Sequence, residues 1–144
     1  MALPKNNGIL VVDDHEEIAD LVKDQLLKDG YSVQEFYDPL VALDYFKENS
    51  KKFALVITDV RMPSMSGIEL VSKIKEIKQD INAILMSAFE RDTIDDEINR
   101  YNVEIAEIFQ KPILLKKLRL CVDRHIKTKD IKKEKLSKER KRDF

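Results

Sequence analysis

The sequence has very few of the residues on which several common kinds of protein depend. Only one of its 144 residues is a cysteine, Cys121, which excludes a disulfide framework and a cysteine-rich zinc site. Its three glycines are too few for a collagen-like chain or a glycine-rich flexible segment. No apolar run approaches the roughly 18 to 20 residues needed to cross a bilayer, and the N-terminus lacks the apolar stretch of a signal peptide. The sequence therefore predicts a cytoplasmic protein without membrane insertion.

The net charge of −1 hides two regions of opposite sign. Residues 127–144 carry nine Lys or Arg and four acids, a net +5, whereas the remaining residues have a net charge of −6. The basic segment has too few apolar residues to bury a core. We therefore predict a domain over 1–126 and a basic, helical tail over 127–144. The tail is either a ragged extension of a complete protein or a truncated linker to a further domain.

The acidic region alternates short apolar runs with amphipathic stretches. Such alternation predicts a parallel sheet that is covered by helices on both faces. The apolar runs predict strands over 8–12, 31–36, 53–57, 83–86 and 103–109. Helical spacing predicts that each intervening helix buries one face. The predicted buried residues are Ile18, Leu21, Val22 and Leu26 in the first helix, Leu40, Leu43 and Phe46 in the second, Val71, Ile74 and Ile77 in the third, and Leu114, Leu118 and Val122 in the last.

Polar side chains follow four of the predicted strands. They are Asp13 and Asp14 after the first, Asp59 after the third, Ser87 after the fourth and Lys111 after the fifth. Ligands of open α/β sheets bind beyond the carboxyl ends of the strands, so we expect these side chains to converge. A pair of acids after a strand is also a common helix N-cap, and we expect Asp14 to cap the first helix as well.

Three converging carboxylates repel one another unless a cation lies between them. Mg²⁺ prefers carboxylate oxygens together with water and phosphate oxygens. Asp59, at the end of a central strand, is then placed as a nucleophile toward a phosphoryl group. Ser87 and Lys111 are suited to bind the oxygens of that group. The residues therefore predict a magnesium-dependent phosphoryl-transfer site.

At these positions the sequence resembles the receiver domain of bacterial two-component response regulators. The resemblance covers about residues 7–126 and is most specific in the Asp-x-x-Met-Pro-x-x-x-Gly segment at 59–67. It implies a flavodoxin-like, doubly wound sheet with strand order 2-1-3-4-5. It also implies a signalling phosphoacceptor that catalyses only its own phosphorylation and dephosphorylation, with a sensor histidine kinase as partner.

The resemblance assigns a role to each site residue. Asp59 would accept the phosphoryl group, and Ser87 and Lys111 would contact it. Mg²⁺ would be held by Asp13, Asp14, Asp59 and the backbone carbonyl of Arg61. The Lys111–Pro112 peptide bond is expected to be cis. In this family the residues two after the acceptor and two after the serine, here Arg61 and Phe89, tune hydrolysis of the acylphosphate, and we hypothesise that Phe89 screens it.

The resemblance further implies that phosphorylation remodels the surface formed by the fourth helix, fifth strand and fifth helix, through which homodimers commonly form. An aromatic residue three positions before the lysine normally turns inward. That position holds Ile108 here, and the aromatic residue is its neighbour, Phe109. Neighbouring residues on a strand point to opposite faces, so Phe109 substitutes only if the register slips. A C-terminal output domain is a further implied partner, whereas the receiver itself would not bind nucleic acid.

Two other functional classes share part of this pattern. A Mg²⁺-dependent aspartyl-phosphate phosphatase of the dehalogenase type needs Asp-x-Asp, but Arg61 stands where its second acid would be. A flavodoxin-like nucleotide binder needs a hydroxyl- or glycine-rich loop after the first strand, where this chain is acidic. We expect His15 to face solvent, and the acids at 92 and 95–97 to form a solvated helix face.

Overall fold

Five parallel strands form one sheet in the predicted order. The computed structural model describes residues 8–88 and 91–126, and the tail prediction for 127–144 lies outside them. The strands are β1 (Gly8–Val12), β2 (Ser32–Phe36), β3 (Phe53–Asp59), β4 (Asn82–Ser87) and β5 (Glu107–Gln110). Their spatial order is β2-β1-β3-β4-β5, which confirms the flavodoxin-like fold.

Helices connect successive strands and cover both faces of the sheet. They are α1 (Glu16–Lys28), α2 (Pro39–Asn49), α3 (Gly67–Ile77), α4 (Arg91–Tyr101) and α5 (115–126 as far as it is described), with a 3₁₀ turn at Ser50–Lys52. Within the described residues, none of these helices combines the length and apolar character required to traverse a bilayer.

The hydrophobic core lies in two layers, one on each side of the sheet. Every residue of β1 and β3 is buried, as expected for central strands that are covered on both faces. Side chains of α2, α3 and α4 pack on one face, and those of α1 and α5 pack on the other. Cys121 is buried in the second layer.

The predicted helix faces were partly wrong. Four of the leucine and isoleucine side chains that we expected to be buried are exposed: Leu21, Leu40, Ile77 and Leu114. Each helix touches the sheet along a stripe narrower than its apolar face, and the small residues Ala19 and Ala42 fill central positions of those stripes.

Two predicted strand boundaries also shift by two residues or more. β3 extends to Asp59 because the polar residues Thr58 and Asp59 continue the ladder. β5 begins at Glu107 rather than at 103. The apolar side chains of Val103 and Ile105 pack against the core from outside the strand, which explains why their hydrophobicity was misleading.

Two helix ends are formed by residues that suit them. Gly30 has φ of 93° after α1, a conformation that glycine adopts without strain. The Asp38 carboxylate accepts a hydrogen bond from the Leu40 amide at 2.8 Å and caps α2.

Candidate functional site

Strand register brings the predicted site residues to one edge of the sheet. Val12 pairs with Thr58, so Asp13 lies level with Asp59, the last residue of β3. On the other side, Asp59 pairs with Met86, which places Ser87 one residue beyond it. The main chain then links Lys111 to this edge, because its amide donates to the Ser87 carbonyl at 2.7 Å. The sheet itself therefore carries four of the predicted residues to one place.

Lys111 joins the two buried carboxylates. Its Nζ lies 3.0 Å from Asp13 Oδ2 and 3.2 Å from Asp59 Oδ1. The Val60 amide also donates to Asp59 Oδ1, at 3.0 Å. The lysine thus supplies one positive charge to a site that holds several carboxylates, and the orientation of Asp59 is fixed from two sides.

The Asp59 carboxyl group is held in an unfavourable environment. Asp59 is only 4% exposed. Burial, together with the charge of Asp13, raises the pKa of Asp59 to about 6, although Lys111 acts in the opposite direction. The negative charge of Asp59 is therefore incompletely compensated, which is typical of groups that react or bind cations.

The Lys111 ammonium group keeps its charge. Burial alone would lower the pKa of Lys111, but its hydrogen bond with Asp13 and the charges of Asp13 and Asp59 outweigh burial and raise that pKa. At neutral pH the group is a fixed positive charge beside Asp59.

Asp14 completes the carboxylate cluster in an unexpected way. We expected it to cap α1, but the N-cap position belongs to His15, whose amide donates to Asp13 Oδ1 at 2.9 Å. The Oδ1 atom of Asp14 is buried and accepts no hydrogen bond from any described residue. A buried carboxylate oxygen without a donor is the kind of atom that a bound cation satisfies.

The donor set fits a divalent cation. One ligand atom from each of Asp13, Asp14, His15 and Asp59 lies within 4.8 Å of the other three. Oxygen ligands about 2.0 to 2.1 Å from one Mg²⁺ lie at most about 4.2 Å apart, so these side chains need to close by only a few tenths of an ångström to share the ion. Sequence reasoning treated His15 as solvent-facing, and its ring is indeed 66% exposed, but Nδ1 lies 3.3 Å from Asp13 Oδ1.

The loop after β3 connects the site to α4. The side chain of Arg61 reaches Glu97 on α4, with Nη1 and Oε2 3.0 Å apart. The prediction that Glu97 belongs to a solvated face was therefore wrong, whereas Asp95 and Asp96 are exposed as expected, and the side chain of Asp92 lies outside the described residues. The predicted role of the Arg61 carbonyl remains a prediction.

Gly67 allows the same loop to close against β3. Its amide donates to the Val60 carbonyl at 2.8 Å. A Cβ atom at this position would lie 1.9 Å from the Asp59 carbonyl oxygen. The glycine of the resemblance motif is therefore required by the close approach of the two backbones.

The pairing of β5 with β4 shows which of Ile108 and Phe109 occupies the position of the family's aromatic residue. Leu85 pairs with Ile108 and Met86 with Phe109, so the register does not slip. Ile108 packs on the layer formed by α2, α3 and α4, whereas Phe109 packs on the opposite layer. An aliphatic side chain thus occupies the place of the aromatic residue. The adjacent Lys111–Pro112 bond is cis, as predicted, and the prediction for Phe89 lies outside the described residues.

Comparisons with known proteins agree with this geometry. The family model of the response regulator receiver domain matches residues 9–123. The chain is 31% identical over 127 residues to sporulation initiation phosphotransferase F of Bacillus subtilis, covering 86% of this chain and 97% of that protein. It is 29% identical over 110 residues to the transcriptional regulatory protein TctD of Salmonella typhimurium, covering 76% of this chain.

A solved structure shows the same fold. The receiver domain protein of Clostridium thermocellum superposes with a TM-score of 0.76 at 28% identity, covering 86% of this chain and 97% of that one. The chain spans only about half the length of some curated relatives, 47% of TctD for example.

Proposed function

Because this chain belongs to the family of response regulator receiver domains, we propose that it is a signalling phosphoacceptor of a two-component system and that Asp59 is the residue phosphorylated. The observation that carries this assignment is the environment of Asp59. It is a buried carboxylate with a raised pKa, it lies at the carboxyl end of a central strand, and Lys111 and Asp13 lie beside it. The B. subtilis relative, named as a phosphotransferase, agrees with this function.

Asp59 acts as a nucleophile in this proposal. Its carboxylate is largely ionised at neutral pH because the pKa of about 6 lies below pH 7. A carboxylate oxygen attacks phosphorus as the bond from phosphorus to the leaving group of the donor breaks, and an acylphosphate remains on Asp59. The Lys111 ammonium group, 3.2 Å from Asp59 Oδ1, neutralises a phosphoryl oxygen. Ser87, buried at the end of β4, donates a hydrogen bond to another.

Asp13, Asp14, Asp59 and the Arg61 carbonyl would hold Mg²⁺. The buried Oδ1 atom of Asp14 supports this assignment because it accepts no hydrogen bond from the described residues. When bound, the cation supplies positive charge that offsets the carboxylates and the incoming phosphoryl oxygens.

The phosphorylated state is read out through Ser87 and Lys111. A phosphoryl group on Asp59 adds negative charge and strong acceptors that draw both side chains inward. In the unphosphorylated structure Lys111 contacts both Asp13 and Asp59. When it moves toward the phosphoryl group, it leaves Asp13 and stays beside Asp59. Because Ile108 replaces the aromatic residue, the surface formed by α4, β5 and α5 changes through this movement without an aromatic switch.

The phosphatase alternative lacks its second acid. Arg61 occupies that position and its side chain pairs with Glu97. We therefore propose a phosphoacceptor that promotes only its own phosphorylation and dephosphorylation, rather than an enzyme acting on other substrates.

The family relationship also suggests the partners and the domain organisation of this chain. The phosphodonor is a sensor histidine kinase, and phosphorylation takes place in the cytoplasm. The receiver domain spans 1–126, and residues 127–144 are a tail or a linker to an output domain. TctD extends well beyond the region matched here, whereas sporulation initiation phosphotransferase F is matched over 97% of its length, so relatives of both kinds exist. Homodimers would use the surface of α4, β5 and α5.

Phosphorylation by a small donor tests the proposal. The full chain is incubated with Mg²⁺ and acetyl phosphate, and its intact mass is measured. We expect a mass increase of one phosphoryl group in the wild type and in Asp44→Asn, which removes an exposed acid of α2. Asp59→Asn must abolish the increase. An unmodified wild type, or a modified Asp59→Asn variant, would contradict the assignment.

A further inference from the structure

His15 presents one edge of its ring to the carboxylates of the site. The ring is mostly exposed, yet Nδ1 lies 3.3 Å from Asp13 Oδ1 and 3.5 Å from Asp14 Oδ1. The position is anchored from the main chain, because the His15 amide donates to Asp13 Oδ1 and the backbone is extended before α1 begins. The imidazole therefore lies beside the cluster without depending on burial.

Lys111 and His15 contact different oxygens of Asp13. Lys111 Nζ lies 3.0 Å from Oδ2, whereas His15 Nδ1 faces Oδ1. The second oxygen near His15 is Asp14 Oδ1, the buried atom that accepts no hydrogen bond from the described residues. His15 and Asp14 thus form a side of the cluster that the lysine does not occupy.

A nitrogen ligand changes which cations a site prefers. Oxygen-only sites suit Mg²⁺, which is a hard cation, whereas imidazole nitrogen increases affinity for first-row transition metals. The four ligand atoms of Asp13, Asp14, His15 and Asp59 lie within 4.8 Å of one another. Ligands about 2.0 to 2.2 Å from one cation lie at most about 4.4 Å apart, so these four side chains need to close by only a few tenths of an ångström to share it.

We propose that His15 is a ligand in the cation site and makes it selective for transition-metal ions such as Mn²⁺ over Mg²⁺. This inference rests on the proposed function only for the existence of the cation site. The role of Asp59 as acceptor does not depend on it.

Metal binding to the full chain tests the role of His15 directly. The chain has two histidines, His15 and His125, and His125 lies outside the cluster. Affinities for Mn²⁺ and Mg²⁺ are measured by calorimetry with metal-free wild type, His15→Gln and His125→Gln. We expect the ratio of Mn²⁺ to Mg²⁺ affinity to fall about tenfold in His15→Gln and to stay unchanged in His125→Gln.

Electron spin echo measurements on the Mn²⁺-loaded protein supply an independent readout. We expect modulation from a directly bound imidazole nitrogen in the wild type and in His125→Gln, and its loss in His15→Gln. Circular dichroism establishes that the variants are folded.

The outcomes separate this inference from the proposed function. If the wild type binds both cations without a nitrogen signal, or His15→Gln keeps the wild-type affinity ratio, the role of His15 is overturned while the phosphoacceptor assignment stands. If the wild type binds neither cation, the metal site of both proposals fails. If His15→Gln loses the preference of the wild type for Mn²⁺ and acetyl phosphate still modifies Asp59 in Mg²⁺, both proposals hold.

Discussion

The two ends of the sheet differ in the burial of their charged side chains. At the carboxyl end, Asp13 and Asp59 are buried beside Lys111, and Asp14 Oδ1 accepts no hydrogen bond from described residues. At the amino ends of β4 and β5, a cleft of about 570 Å³ is lined by residues of α3, the end of α4 and the segment before β5. Its charged lining residues include Glu76 and Glu104, which are exposed.

The size of a cleft is a poorer guide to a reactive site than the burial of its charges. Exposed charges of both signs are solvated and need no partner. Buried like charges raise the free energy of the folded state unless a cation or a phosphoryl group compensates for them. The proposed chemistry therefore belongs to the carboxyl end, and variants should affect the two ends differently.

The largest effect is expected from Gly67→Ala. Its Cβ would lie 1.9 Å from the Asp59 carbonyl oxygen, so the loop after β3 must move. We expect a loss of about 3 kcal/mol or more in the free energy of unfolding, measured by urea denaturation.

Gly30→Ala is the matched control for that variant. Gly30 has positive φ but no atom within 4 Å of an added Cβ. We expect a smaller loss of about 1 kcal/mol from backbone strain alone. Equal losses at the two glycines would contradict the close approach at Gly67.

A smaller effect of opposite sign is expected from Asp59→Asn. Because the pKa of Asp59 is raised to about 6 in the folded state, its ionisation opposes folding. Removing the charge should stabilise the metal-free protein at pH 7 by on the order of 1–3 kcal/mol, which thermal denaturation measures.

The stability of the wild-type protein should depend on pH through Asp59. The folded state binds its proton on Asp59 more tightly than the unfolded state, whose value is near 3.8. The contribution of Asp59 to stability is therefore greatest below about pH 4 and is lost as the pH rises through about 6. This component should disappear in Asp59→Asn, whereas Asp44→Asn should retain it. A destabilised Asp59→Asn variant at pH 7 would contradict the account.

The smallest effect is expected at the link between the site and α4. Arg61 is partly exposed, so its pairing with Glu97 is screened by solvent. Glu97→Gln should lower stability by less than about 1 kcal/mol. Asp95→Asn, whose oxygen is 4.0 Å from Arg91 on the exposed side of α4, should have no measurable effect. A double-mutant cycle with Arg61 separates the pair from other effects of the substitutions.

Much of the fold could be predicted because its signals are local. The continuous apolar run at 8–12 became β1 without a boundary error. The convergence of Asp13, Asp59 and Lys111 followed from a general property of parallel sheets, so their approach needed no knowledge of side-chain positions.

The remaining features depend on contacts between distant residues. The ion pair of Arg61 with Glu97 and the hydrogen bond from Tyr31 to Asp123 join segments that no sequence spacing relates. Likewise, the exposure of Leu21 depends on how α1 lies against the sheet, because its apolar pattern alone allowed either side to be buried.

The most direct test is to locate the phosphoryl group after reaction with acetyl phosphate and Mg²⁺. Borohydride reduction converts an aspartyl phosphate into homoserine, which peptide mass spectrometry assigns to a position. The account predicts homoserine at position 59 in the wild type, and also in Glu104→Gln, which changes the cleft at the opposite end of the sheet. Homoserine at Asp13 or Asp14, with Asp59 unmodified, would contradict it.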